Sequence, residues 1–327
     1  MRRPALVYLR GFTTLEPEGV GMVQRIEGVL SPVVTPFKRD LSPDPERYLR
    51  HCKWLLAHGC SGLAVFGTNS EANSLSVDER MVLLETLVQG GVPASKLMPG
   101  TGCCALTDSV RLTAHAVKLG CAGVLMLPPF YYKGVAEEGL YRSFAELIER
   151  VGDARLQLYL YHIPPVSQVP ITLGLIERLL KAYPKAVAGL KDSSGDWNNT
   201  KAVLDAFGKS GFDVFPGSEV FLLQGLRAGG KGCITATGNI NPGAINRVYE
   251  QWQTPAADAL QADITATRGI LQKYFVISAL KAAIAHWGRD PDWVTVRPPL
   301  VELSAEQQRT LVEELTAAKF DMPGLAG

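Results

Sequence analysis

VAGLKDSSG, residues 187–195, is a short apolar run that ends in a lysine and continues into turn residues. A run of this length, followed by turn residues, predicts a buried strand with Lys191 at its C-terminal end. Burial disfavours a charged ammonium, so a buried lysine can become the neutral amine that attacks a ketone to make a Schiff base. Lysines at strand ends are usually solvated, so Lys191 needs support from the rest of the chain.

Seven other apolar segments rich in β-branched residues accompany this one, and their starts are 19 to 35 residues apart. The eight segments are 29–37, 62–67, 97–101, 123–128, 156–163, 187–191, 212–216 and 231–235. Amphipathic helical patterns lie between them, so the sequence predicts an α/β fold, a closed (β/α)₈ barrel (TIM barrel). A doubly wound open sheet gives the same alternation, but the glycine-rich turn of a dinucleotide site is missing after the first strand.

The predicted barrel occupies residues 26–255 and is flanked by two other regions. Residues 1–25 start basic, contain no clear cleavage site and are predicted to be a disordered extension. After residue 255 only helical patterns remain, so residues 256–327 are predicted to form a helical appendage. Its last helix should begin at the capping box Ser304–Gln307.

Composition limits the partners of the 327-residue chain. Its formal net charge is +1 and no long basic run is present, which argues against nucleic-acid and membrane-surface partners. The sequence contains no uninterrupted run of 18 apolar residues, so no membrane span is predicted. The six cysteines lack zinc-ligand spacing, so no metal site is expected. Scattered cysteines of this kind are expected to be reduced thiols in a cytoplasmic protein.

Polar residues follow several predicted strands at the barrel edge where functional residues gather. GTNSEA (67–72) follows the second strand and offers hydroxyl, amide and backbone N–H donors for a carboxylate. The same residue types also favour a helix-capping loop. The fifth strand ends at Tyr161, 30 residues before Lys191, which places the two side chains on adjacent strands at similar height. A phenol there could relay a proton to and from a Schiff-base intermediate.

Taken together, these motifs resemble the dihydrodipicolinate synthase / N-acetylneuraminate lyase superfamily, which contains the pyruvate-dependent class I aldolases. The resemblance covers about residues 26–320, and it is specific because the motifs occur in the same order on successive strands. They are SPVVTPF (31–37), GTNSE (67–71), PFYY (129–132), EGLY (138–141), YHIP (161–164), GLKDSSGD (189–196), GSE (217–219) and GCI (232–234).

The resemblance implies a role for each matching residue. Lys191 would carry the Schiff base and Tyr161 would shuttle protons. Thr68 and Asn69 would hold the carboxylate of a 2-oxo acid, and Thr68 would also link Tyr161 to the tyrosine loop. Asn69 stands where the family usually has a hydroxyl residue, but its amide can still donate a hydrogen bond.

The resemblance also implies assembly. Tyr132 matches a tyrosine that reaches into a neighbouring subunit's site, and the family suggests a homotetramer built as a dimer of dimers. The run Phe130-Tyr131-Tyr132 supports a close pair of subunits, because neighbouring exposed aromatics favour interfaces. Ile234 would contribute its backbone carbonyl near the bound ketoacid.

The chain departs from the true synthases at Val166, where those enzymes carry an arginine that binds the carboxylate of aspartate semialdehyde. Valine cannot make that ion pair, so synthase activity is expected to be absent or very low and the pocket floor near Val166 more apolar. Sialic-acid lyases hold sugar hydroxyls with an acidic pair after the glycine that matches Gly217. One acid, Glu219, is retained here, and Ser193 could add a hydroxyl contact.

These features predict a metal-independent class I aldolase or lyase that cleaves or forms a C–C bond, with pyruvate as one half and an aldehyde as the other. No cofactor is expected beyond the covalent Schiff base on Lys191. A 2-keto-3-deoxy sugar acid and 4-hydroxy-2-oxoglutarate are candidate substrates. The alternatives are a 2-keto-3-deoxy acid dehydratase, a 4-hydroxy-tetrahydrodipicolinate synthase, and a barrel that senses a ketoacid without turnover.

Overall fold

Seven short parallel strands form in residues 25–325, the part of the chain that this computed structural model describes. Their side chains are buried on both faces, which is typical of parallel strands covered by helices. The strands are β1 (Gly28–Ser31), β2 (Gly62–Leu63), β3 (Val124–Met126), β4 (Leu158–His162), β5 (Val187–Asp192), β6 (Asp213–Pro216) and β7 (Gly232–Ile234).

The strands close into a ring. Two sheets, ordered β2-β1-β7 and β3-β4-β5-β6, are joined on one side by residues 97–101. There the Met98 N–H donates to β2 at 2.9 Å and the Thr101 N–H donates to β3 at 3.0 Å. On the other side the Lys231 N–H donates to β6 at 3.0 Å. This closure confirms the predicted barrel and excludes the open sheet, which would leave two unpaired edges.

Most of the predicted strands are shorter than expected; the segment 62–67, for example, ends at Leu63. In two segments, proline or glycine explains the departure. Residues 97–101 make only isolated bridges to β2 and β3, because Pro99 lacks an N–H and glycine at position 100 weakens a strand. The predicted first strand, 29–37, ends at Ser31, since Pro32 cannot donate to the ladder. Its remainder forms a buried loop above the barrel.

Helices cover the outside of the ring. They are α1 (Pro45–Ala57), α2 (Val77–Gln89), α3 (Leu106–Lys118), α4 (Glu137–Val151), α5 (Pro164–Ser167), α6 (Leu173–Ala182), α7 (Trp197–Phe207), α8 (Leu222–Arg227), α9 (Pro242–Gln251), α10 (Ala257–Leu271), α11 (Val276–Trp287) and α12 (Ala305–Ala317). The predicted capping box at Ser304 forms, and α2 begins with a second one at Ser76. At α9 Pro242 occupies the first turn, and the preceding Asn241 makes no side-chain cap. None of the helices in residues 25–325 is long and apolar enough to cross a membrane.

The helices after residue 255 pack back onto the barrel. Helix α10 contacts α9 and the turn that follows β6, and α11 and α12 contact each other. At the other end of the chain, Arg25 donates to the carbonyl of Gly211 at 2.6 Å, so the described fold includes residue 25. The disorder predicted for the preceding residues lies outside the described range.

Candidate active site

Lys191 and Tyr161 are neighbours at the C-terminal ends of β5 and β4. The two residues are directly paired in the parallel register, and each is only 3% exposed. The Lys191 Nζ lies 4.3 Å from the centroid of the Tyr161 ring. An amine and a phenol are therefore held side by side, as the 30-residue spacing predicted, in an arrangement suited to proton transfer beside a nucleophile.

The loop after β2 completes this pair with a hydroxyl group. Residues Thr68–Ser70 form one 3₁₀ turn, fixed by a hydrogen bond from the Gly67 N–H to the Ser70 hydroxyl at 3.1 Å. The turn places the Thr68 hydroxyl 3.2 Å from the Tyr161 hydroxyl. The Lys191 amine, the Tyr161 phenol and the Thr68 hydroxyl, at the ends of three different strands, therefore lie close together.

These groups open into a cavity of about 490 Å³. Its wall includes both residues predicted to bind a carboxylate and two of the further predicted substrate contacts. The predicted site residues that line it are Thr68, Asn69, Tyr161, Lys191, Ser193 and Gly217. A cavity of this size accommodates a small ligand, and its polar groups come from different sides of the barrel.

Glu219 lies behind the cavity wall, which corrects its expected position as a ligand for substrate hydroxyls. Its side chain is fully buried and accepts hydrogen bonds from the Thr235 and Thr237 hydroxyls. It also forms an ion pair with Arg268, whose Nη1 is 3.3 Å away. A buried carboxylate needs such partners to offset its lost hydration, so Glu219 and both threonines are occupied with one another.

Three other predicted contacts lie outside the cavity of this chain. Val166 is 62% exposed on α5, so it does not form a pocket floor; the lining residue of that segment is Ile163. Ile234 is buried in the barrel core, and Ala236 lines the cavity beyond it. Tyr132 is 71% exposed and does not line the cavity.

Asp192 is a site residue that the sequence reasoning missed. Its buried carboxylate accepts from the Ser194 N–H at 2.9 Å, from the Asn199 amide at 2.9 Å and from the Thr200 hydroxyl at 2.6 Å. These bonds tie the turn after Lys191 to α7. The signal was present in the motif GLKDSSGD, where an acid directly follows the lysine, but nothing in the spacing indicated its partners.

A buried ion pair anchors the loop that carries Thr68. Lys281 of α11 contacts the Glu71 carboxylate, and both side chains are completely buried. Lys281 also donates to the Thr295 carbonyl at 2.8 Å, and Glu71 accepts from the Arg297 N–H at 2.9 Å. Burial lowers the pKa of Lys281 to about 8, although the neighbouring carboxylate opposes this shift. The pair therefore links the C-terminal helices to the site loop.

Lys281→Met is expected to lower the free energy of unfolding by about 3–5 kcal/mol, because it leaves the Glu71 carboxylate buried without its counter-charge. Urea unfolding measures this loss. Lys273→Met removes an exposed lysine from the preceding turn and should cost about 0.5 kcal/mol or less. Adding Glu71→Gln to Lys281→Met should recover part of the stability. Equal losses for the two single variants would contradict a structural role for the buried pair.

The fold and the site together define a barrel enzyme with a buried lysine–tyrosine pair. The chain matches the sequence model of the Dihydrodipicolinate synthetase family over residues 25–318. It is 36% identical over 287 residues to an uncharacterized DapA-like lyase from Chloroflexus aurantiacus, covering 87% of this chain and 94% of that protein. The chain therefore belongs to the dihydrodipicolinate synthetase family, which confirms the predicted family and the lyase class.

Solved structures of two proteins of this family are similar to the chain. Dihydrodipicolinate synthase from Agrobacterium tumefaciens is 30% identical, with a TM-score of 0.79 over 89% of this chain and 99% of that one. YagE, a prophage protein of the same family from E. coli whose structure contains pyruvate, is 24% identical, with a TM-score of 0.83 over 90% and 99% of the two chains. The second likeness supports the barrel fold.

Proposed function

We propose that the protein is a class I aldolase or lyase that cleaves or forms a C–C bond in a 2-oxo acid, with pyruvate as one product or substrate. The observation that carries this proposal is the buried Lys191 amine against the Tyr161 ring, beside a cavity of ligand size. A lysine amine held beside a phenol in this way is placed to act as a nucleophile toward a ketone.

In the cleavage direction, the Lys191 Nζ attacks the C2 ketone and water leaves, giving an iminium ion. The positive nitrogen then accepts the electron pair of the C3–C4 bond as that bond breaks. Tyr161 removes the proton of the C4 hydroxyl, which becomes the carbonyl of the departing aldehyde. Protonation of the remaining enamine at C3 and hydrolysis release pyruvate and regenerate the lysine. This route requires no metal or cofactor.

The loop after β2 is proposed to hold the C1 carboxylate. Thr68 and Asn69 both line the cavity, and their hydroxyl and amide groups can donate hydrogen bonds to a carboxylate. Thr68 also contacts the Tyr161 hydroxyl, so carboxylate binding and the orientation of the phenol would be coupled. This places C2 of the ligand near Lys191.

A screen of 2-oxo acids tests the reaction type. The panel contains 2-keto-3-deoxy sugar acids and 4-hydroxy-2-oxoglutarate, and each reaction is followed both for pyruvate and for loss of water from the intact carbon chain. The proposal predicts pyruvate release with at least one member. Water loss without pyruvate would replace the aldolase by a dehydratase, and binding without either product would favour a ketoacid sensor.

A shared site between two subunits is also proposed, because Tyr131 and Tyr132 stack edge to face at 5.4 Å and both remain largely exposed. Exposed aromatic pairs of this kind favour protein interfaces. The family resemblance extends this to a tetramer of two such dimers. Tyr132 would then complete the proton path in the partner's site.

Mixing inactive Tyr132→Phe and Lys191→Ala subunits should restore activity, because each hybrid dimer would contain one site with Lys191 and a natural tyrosine from its neighbour. Mixing Lys191→Ala with Tyr161→Phe is the matched control. Lys191 and Tyr161 belong to the same chain's site, so neither site of this hybrid dimer contains both natural residues. Activity in an isolated monomer, or equal restoration in both mixtures, would contradict the shared site.

A further inference from the structure

Arg268 of α10 is a second basic group on the wall of the cavity that contains Lys191. Its side chain is 14% exposed, and its Nη1 contacts Glu219 at 3.3 Å. The Nε atom is buried and has no hydrogen-bond partner among residues 25–325. The Nε atom is therefore closed off from the cavity, and a ligand would meet the terminal amino groups of the guanidinium.

Glu219 fixes the position of the Arg268 guanidinium. The carboxylate is fixed by two threonine hydroxyls behind the wall, and it restrains one edge of Arg268. A guanidinium has five N–H donors in a planar fork that matches a carboxylate. Only one contact with Glu219 is made, so donors remain for a second acid.

The position of Arg268 differs from that of the proposed site for the C1 carboxylate. Helix α10 packs against the turn that follows β6, whereas Thr68 and Asn69 follow β2. In the eight-membered ring β2 and β6 are three segments apart, on different walls. A ligand with its first carboxylate at Thr68 and Asn69 and its C2 at Lys191 would therefore extend its far end along the cavity toward Arg268.

We propose that Arg268 selects a 2-oxo acid with a second carboxylate at its far end, a step that rests on the proposed function of Lys191. Glu219, the acid that could have bound sugar hydroxyls, does not line the cavity, whereas the Arg268 cation does. A carboxylate fits better than a phosphate, because Glu219 already offsets much of the single positive charge. The native substrate is thus a dicarboxylic 2-oxo acid.

Calorimetric binding of 2-oxoglutarate and 2-oxopentanoate tests this selection, because the two acids have equal length and differ only in a terminal carboxylate or methyl group. The natural protein should bind 2-oxoglutarate about 10- to 100-fold more tightly, as expected for charge-assisted hydrogen bonds. Arg268→Gln should reduce the ratio to about threefold or less. Arg268→Lys should give an intermediate ratio, since it keeps the charge but loses the fork.

Two further variants serve as controls. Arg227→Gln removes an arginine that pairs with Asp258 of α10 outside the cavity, at 2.9 Å, and should leave the ratio unchanged. If Arg268→Gln fails to fold because Glu219 is left unpaired, Arg268→Gln with Glu219→Gln removes both charges and should also lose the preference.

Borohydride trapping with pyruvate separates this proposal from the one on which it rests. A trapped adduct on Lys191 with equal affinities for the two acids, or with a ratio that Arg268→Gln does not change, overturns the distal carboxylate site alone. Failure of the natural protein to bind 2-oxoglutarate also overturns it. A lack of any lysine adduct overturns the Schiff-base function, whatever the affinity ratio.

Discussion

Lys191→Arg is expected to abolish pyruvate release, reducing turnover to the background rate. A guanidinium stays protonated in proteins, so it cannot attack the C2 ketone, and no other lysine lines the cavity within residues 25–325. Arginine keeps a long polar side chain at the end of β5, so the loss would reflect the missing nucleophile. Steady-state assays with the substrate identified by the screen measure the effect.

Lys201→Arg is the matched control for this change. Lys201 lies on α7, is half exposed and pairs with Asp205 one turn further along the helix, a contact that arginine can also make. Its turnover should equal that of the natural protein. Activity of Lys191→Arg above one tenth of the natural value would contradict a covalent role for Lys191.

Tyr161→Phe is expected to lower kcat by about 10²- to 10⁴-fold, the range for losing a positioned acid–base group. The change removes the hydroxyl that contacts Thr68 at 3.2 Å but keeps the ring beside Lys191. Lys191 should therefore still form a trapped adduct, more slowly, while release of the aldehyde is strongly impaired. Pre-steady-state measurement of adduct formation and product release separates the two steps.

Tyr159→Phe is a control on the same strand and the same face of β4. The Tyr159 hydroxyl donates to the Asp213 carboxylate at 2.9 Å, away from the cavity, and burial raises the pKa of Asp213. Removing this donor should reduce stability but leave kcat within about threefold. Equal losses of kcat in Tyr159→Phe and Tyr161→Phe would show that the effect is one of packing.

Most of the barrel could be predicted from the sequence, because each strand is an apolar run with its own turn residues. The strand predicted at residues 97–101 does not form, because Pro99 and Gly100 disfavour a regular strand. The segment still makes isolated bridges to β2 and β3. An apolar pattern requires only that a segment be buried. It therefore predicts that a segment lies in the barrel wall, but not how many backbone hydrogen bonds it makes with the neighbouring strands.

The site was only partly predictable. Lys191 and Tyr161 lie one repeat apart, so periodicity brings them together. Arg268 comes from a helix outside the repeat, 77 residues after Lys191, and no local pattern relates the two. Glu219 is a case of the opposite kind. Its motif marks the end of a strand, but the motif does not show that Thr235, Thr237 and Arg268 bind its carboxylate.

Peptide mass mapping after borohydride reduction shows whether Lys191 forms a Schiff base with a 2-oxo acid. The protein is incubated with pyruvate, reduced, digested and compared with an unreduced sample. We expect one reduced pyruvate adduct, on the peptide that contains Lys191, and its absence in Lys191→Arg. An adduct on a different lysine, or none while pyruvate is still released from substrate, would rule out Lys191 as the Schiff-base residue.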